Sequence, residues 1–483
     1  MQEYINNANL MPFYVPDSEV KIEGKYTPDW VKTLVMAQVH LETLLEGKTL
    51  KEADFILDHY EEMGVNGLWV TPVFDRALNE GCNGYHNFGP HTIFPGLTGE
   101  EDYSKGWSVY KEFVEKAHMR NIRIIQDIVS WGVNPVAPMV KEYPQFFDGQ
   151  PNKDWGGLRF CWEKEEFKSW YLDRVVEMVL YTDIDGLRYD VEPRYAGWEV
   201  QKEIRDRLLA KGKKICSMSE LGNIDEQHPE VYDFEQLGVI DNCAGNRHLD
   251  APWVFINYHN IVDSVKTGKN IGSPNSKGEQ GCNRFYMHDI IDHDCWCKGI
   301  NGNRLAIGYQ GIFAPFIPLW WQGEEWNNDK IRVYGAVNYF DRIDWSLMEK
   351  PENRAFYEDV KSMIRIRRQY PEIFNYYPQD HRDSNILSVA IEGNNRLVGY
   401  ARYFEDTAIL ILPNNRGDGC ETEFTVDITN LNTQMGIPEK DIYHIEDLQT
   451  GELINHGASS QVARFKLSIP DQNMRILKVT FTI

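Results

Sequence analysis

At 483 residues, of which 42% are hydrophobic, the chain is long enough for two or three domains and can bury a large core. Its formal net charge of −23 excludes nucleic acid and anionic membranes as expected partners, because neutralising phosphates takes clustered Lys and Arg. That charge makes a neutral or cationic ligand the expectation, and no run of about 18 apolar residues is present to cross a bilayer.

The N-terminus lacks a basic stretch followed by an apolar one, which makes the cytoplasm the expected compartment unless a signal peptide has been removed. Eight cysteines are scattered along the chain, and the one close pair, Cys295 and Cys297, is too tightly spaced for a zinc knuckle. They are expected to be reduced thiols.

The run TLVMAQVH (33–40) has strand length, and LKEADFILDHYEEM (50–63) repeats apolar residues at helical spacing. GLWVTPVF (67–74), a helix around 104–119, IRIIQDIV (122–129), a helix around 164–181, IDGLRYDV (184–191), a helix around 198–211 and KICSMSE (214–220) continue the alternation. Strands apolar on both faces between amphipathic helices are parallel βαβ units, and five in succession predict an α/β fold, a closed (β/α)8 TIM barrel. A short excursion interrupts it after strand three, about 132–160. Strand six has no clear signature within 221–283. FYMHDII (285–291), a short helix near 304–313, FIPLWW (316–321) and a helix around 352–369 follow. Short alternating segments from 384 on (ILSVAI, LVGYARYF, AILILP, EFTVDI, FKLSI, ILKVTFT) predict an antiparallel β-sandwich over 384–483, leaving 1–383 as the barrel.

In such a barrel the active site lies at the C-terminal ends of the strands. Asp127, Asp190 and Glu220 each end an apolar run, and a further run leads into HDIIDHD (288–294). A single strand-end carboxylate is usually a cap or a surface charge; four converging on one mouth raise the pKa of at least one and supply an acid beside a base or nucleophile. That pairing suits acetal cleavage, in which one carboxyl protonates the leaving oxygen while another attacks. Arg188, two residues before Asp190, faces the same side of its strand and would hold the carboxylate ionised. The 14 Trp and 25 Tyr could stack on sugar rings, although core filling accounts for most such residues.

These strand ends, in this order, resemble the α-amylase family of glycoside hydrolases over nearly the whole chain. GLRYD (186–190) is similar to the family's strand-four motif, SELG (219–222) to its strand-five segment and QDIV (126–129) to its strand-three segment. The resemblance implies a retaining double displacement on α-glucosidic bonds of oligo- or polysaccharides, with Asp190 as nucleophile, Glu220 as acid/base, and Arg188 and Asp127 bracing the site. Tyr85, in NGYHNFGP, would stack on the sugar, and APFIPLWWQGEEWN (314–327) is similar to the strand-eight segment. The third carboxylate belongs to a His-Asp pair, either His288-Asp289 or His293-Asp294. We take the second, because YMHDII then forms the strand; Asp294 and His293 would contact sugar hydroxyls.

Departures from the family pattern are equally specific. Trp131 and Gly132 stand where the family has Asn and His, removing a usual calcium ligand and a sugar-binding group, and VEPR (191–194) replaces the usual acceptor-side residues. No cofactor and no obligatory metal are expected. Rival readings are a transglycosylase or phosphorylase of the same fold, a carbohydrate-binding relative without turnover, and an unrelated Mg²⁺-dependent barrel. Trp131, Trp162, Trp296, Trp320, Trp321 and Trp326 are as consistent with core as with sugar platforms, and His86 and His91 are expected to be solvent-exposed.

Overall fold

The structure, a computed structural model, describes residues 28–77, 84–153, 156–191, 195–220, 234–236, 285–289, 304–314, 317–328, 343–375, 385–393, 398–437 and 442–482, with 234–236 and 285–289 as backbone. The chain divides into two compact units: Met1–Gln236 with Ser276–Arg284 and Lys330–Asp344, and Leu237–Asn275 with Phe285–Asp329 and Trp345–Ile483.

The first unit carries a parallel sheet whose strands follow chain order: Met36–Val39, Gly67–Val70, Arg123–Val129, Gly186–Asp190, Cys216–Ser219 and Phe234–Gln236. The last of these is the sixth strand, which the sequence left unplaced. Helices Asp54–Met63, Tyr103–Met119, Glu165–Thr182 and Gly197–Ala210 fill the connections. Tyr103–Met119 shows why such segments become helices. The Asp102 carboxylate accepts the N–H groups of Ser104 and Lys105, and Trp107, Tyr110, Phe113, Val114 and Ala117 form one buried stripe. Burying each large side chain of that stripe contributes roughly 1.5–3 kcal/mol.

The excursion after strand three is a three-stranded antiparallel sheet of Gly132–Val133, Phe147–Pro151 and Leu158–Phe160. Register fixes the site residues. Trp69 pairs with Ile125, Asp127 with Arg188, and Arg188 with Met218, so one level of the sheet runs through Asp127 and Arg188.

In the second unit Phe285–Asp289 pairs in parallel with Ile317–Trp321, Asp289 standing opposite Leu319. Between them, Leu305–Ile312 is a wide-turned helix closed by the Phe313 N–H donating to the Gly308 carbonyl. Of the expected (β/α)8 barrel, the structure therefore describes six parallel strands in one unit and two in the other.

The antiparallel sheet begins at Ile386. Its eight strands include Ile442–Asp447 and Leu453–Ala458, which the sequence pattern missed. Ile386–Glu392 pairs by its first half with Gly399–Phe404 and by its second half with Thr422–Asp427. One apolar core, including Leu410, Phe424, Tyr443, Leu477 and Phe481, packs within this domain.

Candidate active site

Four of the expected site residues converge on the ends of strands three, four and five. The Arg188 guanidinium joins them: Nη1 donates to Asp127 Oδ1 and Oδ2 at 3.0 and 2.9 Å and to Asp190 Oδ1 at 2.9 Å, and Nη2 lies 2.8 Å from Glu220 Oε2. Its planar fork suits several carboxylates at once. The guanidinium also lies 4.8 Å from the Trp69 ring centroid.

Asp127 is fully buried and accepts further bonds from Trp69 Nε1 at 3.1 Å and the Tyr85 hydroxyl at 2.7 Å, so its charge is spent on bracing. Asp190 and Glu220 keep 13% and 24% of their side-chain surface open, and these are the two carboxylates a ligand can reach. Val191, directly after Asp190, adopts φ +51°, a left-handed conformation that costs a β-branched residue about 1–3 kcal/mol. In that conformation its N–H donates to Glu220 Oε2 at 2.6 Å. A strained backbone directly after Asp190 thus helps to hold Glu220.

Three carboxylates around one guanidinium leave an excess of negative charge. Burial opposes the charge of Arg188, but Asp127, Glu220, Tyr85 and Asp190 outweigh it and hold the guanidinium protonated. Burial and then the neighbouring Glu220 carboxylate push Asp190 well above the ordinary carboxylate range, against the opposing pull of Arg188. The cluster therefore retains a proton at a pH where isolated carboxyls have lost theirs.

Two residues absent from the sequence-based site belong to this cluster. Trp69 braces Asp127, and Trp131 Nε1 donates to Asp190 Oδ2 at 3.1 Å. Trp131 stands where a calcium ligand is usual in the family, and an indole N–H is a donor that cannot ligate a cation. Among the described residues no group of three or more His, Cys, Asp or Glu is arranged to hold a metal ion.

His293 and Asp294 lie outside the described residues, as does Trp296. The described seventh strand ends at Asp289. His91, expected at the surface, is buried against Trp170, and burial, with the Arg174 charge, pushes its imidazole down to about 3, so it is neutral. His86 is half-buried with its ring 5.6 Å from that of Trp131. Trp162, half-buried, packs among Phe160, Phe167 and Tyr171, whereas Trp326, stacked on Trp345, and Trp320, bonded to Glu325, are buried in the core. No described helix is long and apolar enough to cross a membrane.

No curated family profile matches the chain. It is 24% identical to the intracellular maltogenic amylase of Bacillus subtilis across 90% of this chain and 78% of that protein. It is 21% identical to neopullulanase 2 of Thermoactinomyces vulgaris across 81% and 71% of the two. Among solved structures, a noncanonic maltogenic α-amylase from Thermotoga neapolitana superposes with a TM-score of 0.71 at 16% identity, covering 94% of this chain and 100% of that one. The fold and its relatives define the chain as a glycoside hydrolase. Its relatives and structural neighbours support the α-amylase family.

Proposed function

We propose that the enzyme cleaves α-glucosidic bonds of oligo- or polysaccharides with retention, through a glycosyl-enzyme ester on Asp190. The observation that carries this reading is the Arg188 guanidinium bound to Asp127, Asp190 and Glu220 together. Names of relatives support the substrate class: a maltogenic amylase and a neopullulanase. The eight parallel strands close as one barrel in this reading, with residues 1–383 as the catalytic domain and 384–483 as a β-sandwich.

The hydrogen bonds divide the labour. Both Asp190 oxygens receive a donor, Oδ1 from Arg188 and Oδ2 from Trp131, which favours the ionised form. On Glu220 the described donors converge on Oε2, so Oε1 is the oxygen from which Glu220, in its acid form, gives a proton to the leaving oxygen as Asp190 attacks the anomeric carbon. In the second step it takes a proton from water, whose oxygen displaces Asp190. Tyr85, fixed by Asp127, presents its ring to the sugar. The third carboxylate, Asp294 with His293 beside it, binds sugar hydroxyls as charge develops; the end of the described strand at Asp289 supports Asp289 as the alternative.

Release of reducing sugar from starch, maltooligosaccharides, isomaltose, trehalose and sucrose, with and without phosphate, tests the reading against Asp190→Asn. Turnover by the wild type that falls roughly 10⁴-fold or more in the variant supports it. Absence of turnover on every substrate by the wild type rejects it.

A further inference from the structure

We infer that Trp131 is a positioning residue for the nucleophile, and that the excursion after strand three holds Trp131 in place. This rests on the assignment of Asp190 above. The indole is 2% exposed, and its one polar atom is directed at Asp190 Oδ2, 3.1 Å away. Aromatic filling alone does not need that direction; Trp162, just after the same excursion, turns its N–H to the Ser130 carbonyl instead.

Two glycines make the arrangement possible. A Cβ on Gly157 would lie 2.4 Å from Trp131 Cζ3 and 2.6 Å from Cη2, so the excursion backbone rests directly against the six-membered ring of the indole. A Cβ on Gly132 would lie 2.0 Å from the Leu158 carbonyl oxygen, and only without it can Gly132 pair with Arg159 in the small sheet. Phe160 N–H donates to the Trp131 carbonyl at 3.2 Å, and the His86 ring packs 5.6 Å away at 59°. Trp131 and Gly132, read in the sequence as the loss of two family residues, are therefore one half of a replacement device whose other half is Gly157.

The indole N–H fixes the orientation of the attacking carboxylate and favours its charge. Its removal raises the pKa of Asp190, so the acid limb of the kcat/KM profile moves to higher pH by about one unit, and kcat falls roughly 10- to 100-fold. The loss lies in attack, not in protonation of the leaving group. It therefore persists with a fluoride leaving group, which needs little acid assistance.

The decisive variant carries β-(3-benzothienyl)alanine at Trp131, which keeps the ring shape and lacks the N–H. Trp131→Phe and Gly157→Ala accompany it, and pH profiles are taken on 4-nitrophenyl α-maltotrioside and α-maltosyl fluoride. A raised acid limb with a kcat loss on both substrates, in a protein melting like the wild type, is the expected result. An unmoved acid limb, or rates within about twofold of wild type for the isostere, overturns the proposal. If Asp190→Asn keeps full turnover, the nucleophile assignment fails. If Asp190→Asn is inactive while the isostere behaves as wild type, only the role of Trp131 fails.

Discussion

Arg188 and Asp190 stand two residues apart on one strand, and the guanidinium of the first donates to the carboxylate of the second at 2.9 Å. Alternation along the strand turns both side chains to the same face, while the register with strand three brings Asp127 beside Arg188. One cation is thereby shared by three acids, and its removal affects all of them.

Arg188→Lys keeps the charge but loses the planar fork, so a single ammonium cannot serve Asp127, Asp190 and Glu220 together. Steady-state kinetics should show kcat/KM lower by roughly 10²- to 10³-fold, about 3–4 kcal/mol of transition-state stabilisation. A kcat/KM close to wild type would show that the shared guanidinium is not what organises the site.

Glu220→Gln removes the proton that the proposed mechanism delivers to the leaving oxygen. Turnover of 4-nitrophenyl α-maltotrioside and of maltooligosaccharides should fall by about 10²–10⁴-fold, with α-maltosyl fluoride much less affected. The acid limb of the kcat/KM profile, set by Asp190 and raised by burial and by Glu220, should move to lower pH because a neutral amide no longer opposes the second charge.

Asp289→Asn and Asp294→Asn, measured side by side, identify the third carboxylate. The variant of the true one should lose on the order of 10³-fold in kcat on maltooligosaccharides, the other remaining near wild type. Equal, small effects would show that neither grips the sugar.

Away from the site, Asp185 precedes strand four and accepts from His118 Nε2, Arg123 Nη1 and the Ile124 N–H at 2.8, 2.8 and 2.9 Å. Burial opposes its charge, yet the His118 bond and the other donors win and hold the carboxyl below its ordinary value. A depressed folded pKa gives stability that is present above the unfolded value of about 3.9 and lost as pH falls through the folded value. Asp185→Asn should cost about 3 kcal/mol near neutral pH in denaturant titrations, and the difference from wild type should shrink on acidification. A difference independent of pH would place the cost in packing instead.

Much of the fold was legible because its signals are local. Apolar runs of strand length between helices of 3.6-residue periodicity survive in the sequence whatever their neighbours are, and the helices found as Tyr103–Met119 and Glu165–Thr182 lie within a residue of their expected ends. Strand six is three residues long, too short to carry a period, and Ile442–Asp447 interleaves apolar residues with His444, Glu446 and Asp447. His91 was misplaced because a lone histidine has no sequence signal of burial.

By itself the sequence determined the carboxylates at the strand ends and the Arg two residues before Asp190, because strand alternation is a property of the chain alone. Only the tertiary structure decided that Asp127 is spent on Trp69, Tyr85 and Arg188, that a strained Val191 turns its N–H to Glu220, and that Trp131 addresses Asp190. Those are contacts between residues 29 to 61 positions apart, and a hydrogen bond is fixed by ångström-scale geometry that no spacing along the chain records.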